Sequence, residues 1–289
     1  AAGDINVSAA GTITTAGTTA MLATSATLSG AGTSSIDMNA ATTLNLSGNG
    51  AAATFNMVSG EHAALAAVNV SGSQNVTLGV EASEIAGALK VTDSGTGTFK
   101  LNVGGSTGAV DVSGGLIDDL NVNLNLAAST LTVASTQAVD FTVDQGTSSS
   151  LVVGSAAAAA TNSVTLNLND GNTASGAVDV ADLTVTQAKT VTVNTGLDVN
   201  ANAAASNLTS FVASADEADI TIAMGANSTT LTTAITAGNT GDYGTVTFTG
   251  SGNVNHGALI ANTSTYDASA LTGNVVMTGD LTGTGLTSV

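Results

Sequence analysis

The sequence predicts an all-β protein, a parallel β-solenoid (β-helix) in which short strands coil around a narrow core, with short irregular insertions. Phrases that alternate apolar with Thr, Asn, Asp or Ser side chains recur along the 289 residues, as in half-buried strands. The chain has no proline, 2% aromatic residues and 8% charged residues, whereas an average soluble domain carries about 25% charged residues. Small aliphatic side chains must therefore fill a thin core, and helix is a minor component at most.

The strand phrases follow one another with little between them. Most start roughly 9 to 13 residues apart, and Gly, Ser and Asn turn residues separate them. The early phrases are TLNLS (43–47), TFNMV (54–58), AVNVS (67–71), NVTLGV (75–80), ALKVT (88–92), TFKLNV (98–103), AVDVS (109–113) and NVNLNL (121–126). The later phrases are TLTVA (130–134), DFTV (140–143), SVTLNL (163–168), AVDV (177–180), LTVTQ (183–187), TVTVNT (190–195), DITIAM (219–224), TVTFTG (245–250) and NVVMTG (274–279).

Regular short strands also suit a β-sandwich or barrel, and the turns favour the solenoid. The hairpins of a sandwich use Asn-Gly or Asp-Gly turns, and only Asn49-Gly50 and Asp170-Gly171 provide such pairs. A sandwich core also favours large aromatic side chains. A solenoid instead needs small interior residues and Asn, Ser and Thr stacked at its corners. With roughly 20 to 30 residues per coil, we expect about ten to fourteen coils.

We expect residues 1–289 to form one elongated solenoid, a fragment of a longer repetitive chain. Two Ala-rich segments tolerate helix locally, SAAAAATNS (155–163) and NANAAASNLTSF (200–211), and a loop, a short helix or a bend is expected there. For the Ala run, a tightly packed coil of small residues is the alternative. No stretch approaches the roughly 18 consecutive apolar residues of a membrane-spanning helix, so no transmembrane segment is expected.

The net charge of −18, from 21 acidic residues against three lysines, points to cations as partners. Nucleic-acid binding needs a basic footprint and is not expected, and an anionic membrane surface is disfavoured. Counterions in solution or bound Ca²⁺ can neutralise the charge, because calcium prefers carboxylate, amide and carbonyl oxygens. The absence of cysteine fits either the cytosol or a disulfide-free secreted protein.

The candidate calcium ligands are carboxylates, several of them near strand ends, where turn carbonyl groups are also available. For each one, a solvated surface acid is the alternative, and GGSTGAVDV (104–112) and GGLIDDLNV (114–122) only echo the calcium-binding nonapeptide pattern. A thin rod of this charge repels itself, which favours divalent cations for the set as a whole. The candidates are Asp118, Asp119, Asp140, Asp144, Asp170, Asp179, Asp182, Asp216, Asp219 and Asp267.

Catalysis is not expected. His62 and His256 have no local acid or nucleophile partner, and no G-x-S-x-G elbow occurs. Polysaccharide-degrading β-helix enzymes use cationic or paired carboxylate centres and aromatic sugar platforms, but this chain has no Arg, no Trp and two Tyr. Thr-x-Thr pairs (12/14, 184/186, 190/192 and 230/232) suggest an ice-binding face, although ordinary strand propensity also explains them because they keep no fixed spacing.

The phrase TYDASALTGNVVMTG (265–279) carries a resemblance to a known family. Its segment DASALTG (267–273), followed by NVVMTG (274–279), resembles a phrase of calcium-dependent bacterial surface-layer (S-layer) proteins and related RTX-type adhesins exported by type I secretion. NLTSFVAS (207–214) looks like a degenerate copy, and LTGTGLTSV (281–289) looks like the lead-in to another. The composition extends the similarity over the whole chain. Family members usually bear nonapeptide repeats and a C-terminal secretion signal, neither of which is present in this sequence.

The resemblance implies an extracellular β-solenoid that assembles on the cell surface with Ca²⁺. The residues themselves predict a local role for the phrase: Asp267 and Ser269 cap a tight turn, and Gly273 ends it. We therefore expect a structural cell-surface protein, a calcium-stabilised S-layer or filament. The alternatives are an adhesin stalk or ligand-binding solenoid, including an ice-binding one, and a disfavoured polysaccharide-degrading enzyme. The expected partners are further copies of the chain and a cell-surface glycan or lipopolysaccharide.

Overall fold

The computed structural model confirms the predicted all-β class and the parallel β-solenoid, with 62% strand, 3% helix and about nine turns. It describes residues 5–14, 23–38, 40–58, 65–105, 108–168, 178–195, 207–208, 211–225, 229–231, 235–256 and 262–278. The chain divides into two compact units, Ala1–Leu124 and Asn125–Val289.

The first unit contains short strands and one 3₁₀ helix, Ala82–Glu84, among its described residues. Most of the strands show the predicted alternation of buried and less buried side chains. The strands are β1 (Ile5–Ser8), β2 (Ser25–Ile36), β3 (Thr43–Met57), β4 (Leu65–Ser71), β5 (Val76–Glu81), β6 (Ile85–Asp93), β7 (Phe99–Gly104), β8 (Val110–Asp111) and β9 (Asp119–Val122).

Parallel pairing between successive coils builds this unit. One half of β3 pairs with β4 and the other half with β5, and the two rows continue as β4–β6–β8 and β5–β7–β9. Leu44 lies opposite Val68, and Phe55 lies opposite Leu78. Because the side-chain period of a strand is two, this register keeps apolar residues on the inner face of every coil.

The second unit continues the pattern with fifteen described strands and the 3₁₀ helix Ala156–Ala158. The strands are β10 (Thr130–Val133), β11 (Gln137–Phe141), β12 (Ser149–Val153), β13 (Ser163–Leu168), β14 (Leu183–Thr186), β15 (Thr190–Thr195), β16 (Asn207–Leu208), β17 (Phe211–Ala213), β18 (Asp219–Met224), β19 (Thr229–Leu231), β20 (Ile235–Asn239), β21 (Asp242–Gly250), β22 (Val254–His256), β23 (Thr263–Leu271) and β24 (Val275–Met277).

Three parallel faces form the second unit. They are β10–β12–β14–β17–β20, β11–β13–β15–β18–β21–β23 and β16–β19–β22–β24. One corner departs from the parallel pattern: β20 and β21 also form an antiparallel hairpin in which Asn239 lies opposite Asp242. Gly241 in that hairpin has φ +100°, a conformation that glycine adopts without steric cost.

Coil length varies along the solenoid. In the first unit, Lys100 and its in-register partner Asp119 are 19 residues apart. In the second unit, Thr195 and its partner Met224 are 29 residues apart. The longest interval between paired strands, from Ser149 to Leu183, is 34 residues, more than the expected coil length. The solenoid has about nine turns, fewer than the ten to fourteen expected.

The core consists of apolar columns that run from coil to coil. Val164, Val191, Ile220 and Val246 stand in register and are at most 2% exposed. Each such burial contributes about 1.5–3 kcal/mol. Aliphatic residues dominate the core as predicted. The few aromatic residues contribute more than the composition indicates, because all five phenylalanines are fully buried: Phe55, Phe99, Phe141, Phe211 and Phe248.

The Ala-rich segment 155–163 leaves the strand pattern and forms the short helix Ala156–Ala158, one of the alternatives expected there. Gly154, at φ +62°, turns the chain out of β12. The Asn162 amide closes the excursion by donating to the carbonyl oxygens of Val153 (2.7 Å) and Ser155 (3.1 Å). In the other segment, 200–211, only residues 207, 208 and 211 are described, and they belong to β16 and β17.

Candidate functional site

Four of the predicted calcium ligands accept a hydrogen bond from a backbone N–H of an adjacent coil. A side-chain carboxylate can satisfy a backbone N–H that the strand ladder leaves without an acceptor. The pairs are Asp118 with Phe99 N (2.8 Å), Asp144 with Asp179 N (2.8 Å), Asp182 with Ser148 N (3.2 Å) and Asp219 with Thr245 N (3.0 Å). These acids therefore join neighbouring coils within their unit.

Two further candidates bind side chains of an adjacent coil. Asp119 pairs with Lys100 at 3.0 Å, an ion pair in which both side chains are about one-third exposed. In the second unit, the Asp140 carboxylate begins a ladder: the Asn167 amide donates to it at 2.5 Å, and the Asn194 amide donates to Asn167 at 2.7 Å. Stacked Asn was expected at the corners, but here it follows the outer face of strands β11, β13 and β15.

Asp267, the acid of the family-like phrase, accepts the backbone N–H of Ser269 at 2.8 Å. Hydrogen bonds from the hydroxyl and the backbone N–H of Ser269 lower the pKa of Asp267. The prediction of a tight turn is wrong, because Asp267 and Ser269 lie inside strand β23. The register of β23 with β21 shifts there, between Thr247 and Thr249. The Asp267 side chain therefore stabilises a β-bulge.

The remaining candidates are scattered. The Asp216 carboxylate accepts a hydrogen bond from the Asn239 amide at 3.1 Å. Asp179 takes part through its backbone N–H, which donates to Asp144. Asp170 lies outside the described residues. Among the residues that the structure describes, no three His, Cys, Asp or Glu side chains are grouped closely enough to hold a metal ion. The predicted ligands thus do not form a carboxylate-rich calcium site within the described ranges.

The sequence did not predict that two carboxylates line one recess. Asp93 and Asp118 line a surface recess of about 630 Å³ together with the turn Gly95–Thr98. Asp93 accepts the N–H of Gly95 at 2.7 Å. Two carboxylates are fewer than the oxygen ligands that calcium needs, so carbonyl groups or water would have to complete such a site. The turn letters DSGTGT in the sequence were the available signal.

The two histidines are not brought together by any described contact. His62 lies outside the described residues, and the backbone of His256 lies in strand β22. The Thr-x-Thr pairs are distributed over different faces: Thr184 and Thr186 belong to β14, whereas Thr190 and Thr192 belong to β15. One threonine column does stack in register: Thr165, Thr192, Thr221 and Thr247.

The strand β24 exposes apolar side chains. It has one described strand partner, β22, and Val254 of that strand is fully buried. Val275 occupies the next place in the same column but is 37% exposed, and Val276 and Met277 are 50% and 37% exposed. The other edge of β24 has no strand partner among the described residues. Such an edge with an apolar surface is a template for pairing with another strand.

Comparisons with known proteins identify no relative. No protein-family model matches the chain, and neither the curated proteins nor the solved structures give a match. Within the described ranges, no helix is long and apolar enough to cross a membrane.

Proposed function

We propose that this chain is a structural, extracellular protein of a cell surface that associates with further copies of itself into a lattice or filament. The proposal rests mainly on strand β24. In the coil below it, Val254 is fully buried, whereas its column neighbour Val275 is 37% exposed. A further coil laid on β24 would bury Val275 and Met277 and would pair the strand edge that has no partner among the described residues. A cell-surface glycan or lipopolysaccharide is the proposed anchor.

The test is sedimentation of the purified chain over a range of concentrations, with negative-stain microscopy of the same samples. Val275→Lys places a charge in the apolar column of β24 and should shift the chain to smaller species. The matched control is Leu116→Lys, because Leu116 is also an exposed aliphatic residue, at 58%, and lies outside β24. A wild-type chain that stays monomeric, or equal effects of the two variants, would refute self-association through this strand.

We also propose that calcium stabilises the folded chain, because the chain is strongly acidic. Twenty-one acidic residues face three lysines, and divalent cations would relieve the repulsion that results. The acids that already accept an N–H retain lone pairs, because a carboxylate offers about four acceptor positions. Within the described residues the ligand set would need carbonyl groups or water as well, since no three acidic or histidine side chains converge.

Thermal unfolding in millimolar CaCl₂, after EGTA, and in MgCl₂ tests this part. A ligand at about one hundred times its dissociation constant adds about 2.7 kcal/mol to the stability of the folded state. We expect a rise in melting temperature that is larger for calcium than for magnesium. Equal melts in all three buffers would mean that the acids are solvated, and would leave association through β24 untouched.

A ligand-binding stalk is the second candidate, and the threonine column of β13, β15, β18 and β21 favours it. The repeating hydroxyls stand on one outer face at the spacing of parallel strands, about 4.8 Å. Ice binding is the form that this array suggests. Thermal hysteresis that Thr192→Lys abolishes and Thr184→Lys leaves intact would support it, because Thr184 lies on another face. No hysteresis in the wild-type chain would exclude it.

A further inference from the structure

Corners of unequal length create a groove in the second unit. The corner between β12 and β13 takes nine residues (154–162), the corner between β14 and β15 takes three (187–189), and that between β17 and β18 takes five (214–218). These strands belong to successive coils, so the short corner is recessed between two longer ones. The recess has a volume of about 430 Å³, within the range of small-molecule sites.

The two walls of the groove differ in chemistry. On one side stand the methyl groups of Ala156, Ala159 and Ala160, which belong to the long corner with its 3₁₀ helix. On the other side stand Asp216 and Glu217. An apolar wall facing a polar one suits a ligand that has an aliphatic body and a charged or polar head, because each part then meets matching atoms.

The charges in the groove determine the sign of that head. Lys189 lies on the floor and donates to Glu217 Oε2 at 3.1 Å and to the carbonyl oxygen of Asp216 at 3.3 Å. One carboxylate therefore balances the lysine. The Asp216 carboxylate accepts the neutral amide of Asn239 at 3.1 Å, so its charge is not balanced by a described cation and the groove carries one net negative charge. The net charge of the chain, −18, favours cations further.

We propose that this groove binds aliphatic primary amines, with the ammonium group against Asp216 and Glu217 and the alkyl chain along the alanine wall. An ammonium group has three donors, enough to bond two carboxylates at once. An alkyl carboxylate would meet net negative charge, and a sugar would find no aromatic side chain to stack on, because Ala, Thr, Ser, Gln and charged residues line the groove. The site is separate from the self-association proposed for β24.

Calorimetric titration of the full chain with hexylamine tests the proposal, with hexanol and hexanoate as comparison ligands. We expect saturable binding of hexylamine and at least about tenfold weaker binding of the other two, which corresponds to about 1.4 kcal/mol. Equal binding of hexanol would show that the apolar wall acts alone and would overturn the assignment of the carboxylates.

Two variants separate site binding from general attraction to an acidic protein. Asp216→Asn keeps the acceptor for Asn239 but removes the local charge, and should weaken hexylamine binding about fivefold, equivalent to about 1 kcal/mol. The control Asp140→Asn changes the net charge equally, retains an acceptor for Asn167 and lies outside the groove. Equal affinities of the two variants would overturn the proposal.

A third variant, Ala159→Leu, tests the alanine wall. It narrows the groove and should also weaken hexylamine binding; an unchanged affinity would count against this location.

Discussion

Replacing Asn167 by Asp should destabilise the second unit because the hydrogen bond to Asp140 is lost. The Asn167 amide donates to Asp140 at 2.5 Å and accepts from Asn194 at 2.7 Å. An aspartate at position 167 still accepts from Asn194. It no longer has a donor for Asp140, and it places a second carboxylate directly opposite the first, because the two residues are in-register partners on β11 and β13.

The expected loss is about 2–4 kcal/mol. A hydrogen bond to a charged group contributes about 1.5–3 kcal/mol, and a pair of like charges directly opposite in a sheet adds up to about 1 kcal/mol, since these positions are half-buried and partly screened. The matched control is Asn45→Asp in the first unit. Asn45 donates to the neutral hydroxyl of Thr27 at 3.2 Å and accepts from Asn69 at 2.8 Å, so its loss should be about 0.5–1.5 kcal/mol.

Urea unfolding followed by circular dichroism measures the two losses, and hydrogen exchange of the β13 amides locates the effect, because coils of a repeat fold can open separately. The double variant Asp140→Asn/Asn167→Asp exchanges the partners and restores both the donor and the net charge, so it should recover most of the loss. Equal losses for the 167 and 45 variants, or no recovery in the exchanged pair, would refute this account.

Three further outcomes are expected. A Cβ on Gly244 would overlap the carbonyl oxygen of Ala218, so Gly244→Ala should lower stability by about 1–3 kcal/mol in urea unfolding, whereas Gly11→Ala, where no atom lies within 4 Å, should be neutral or slightly stabilising. Phe248 is fully buried and packs on Tyr266 with ring centroids 5.3 Å apart, so Phe248→Ala should cost about 3–5 kcal/mol by the same assay. Burial raises the pKa of Tyr266 to about 12. The folded state therefore keeps a proton that the unfolded state loses near pH 10, so the free energy of unfolding should fall between about pH 10 and pH 12. Tyr266→Phe should remove this part of the fall. A pH profile identical in wild type and Tyr266→Phe would contradict this.

The sequence predicted the strands well because their signal is local. SVTLNL and TVTVNT alternate apolar and polar residues, and both form strands with alternating burial. It predicted the acids as candidates but not their partners. Asp144 accepts an N–H from Asp179, 35 residues away, and that separation cannot be read from the chain because an insertion of irregular length lies between the two strands. The groove at Lys189 was missed for the same reason, since it depends on three corners in three different coils.

The sequence by itself determined the solenoid: its alternation with a period of two, its small core residues and its lack of proline act within each coil and need no knowledge of the next. Only the tertiary structure decided which polar groups meet. Among the paired strands, coil length ranges from 18 residues between Ser25 and Thr43 to 34 between Ser149 and Leu183, so no fixed period in the sequence aligns one coil with the next. The physical reason is that burial of apolar side chains sets the register of the strands, while the corners absorb whatever length remains. The ladder that Asp140 begins and the groove beside Asp216 follow from that register and from those corners.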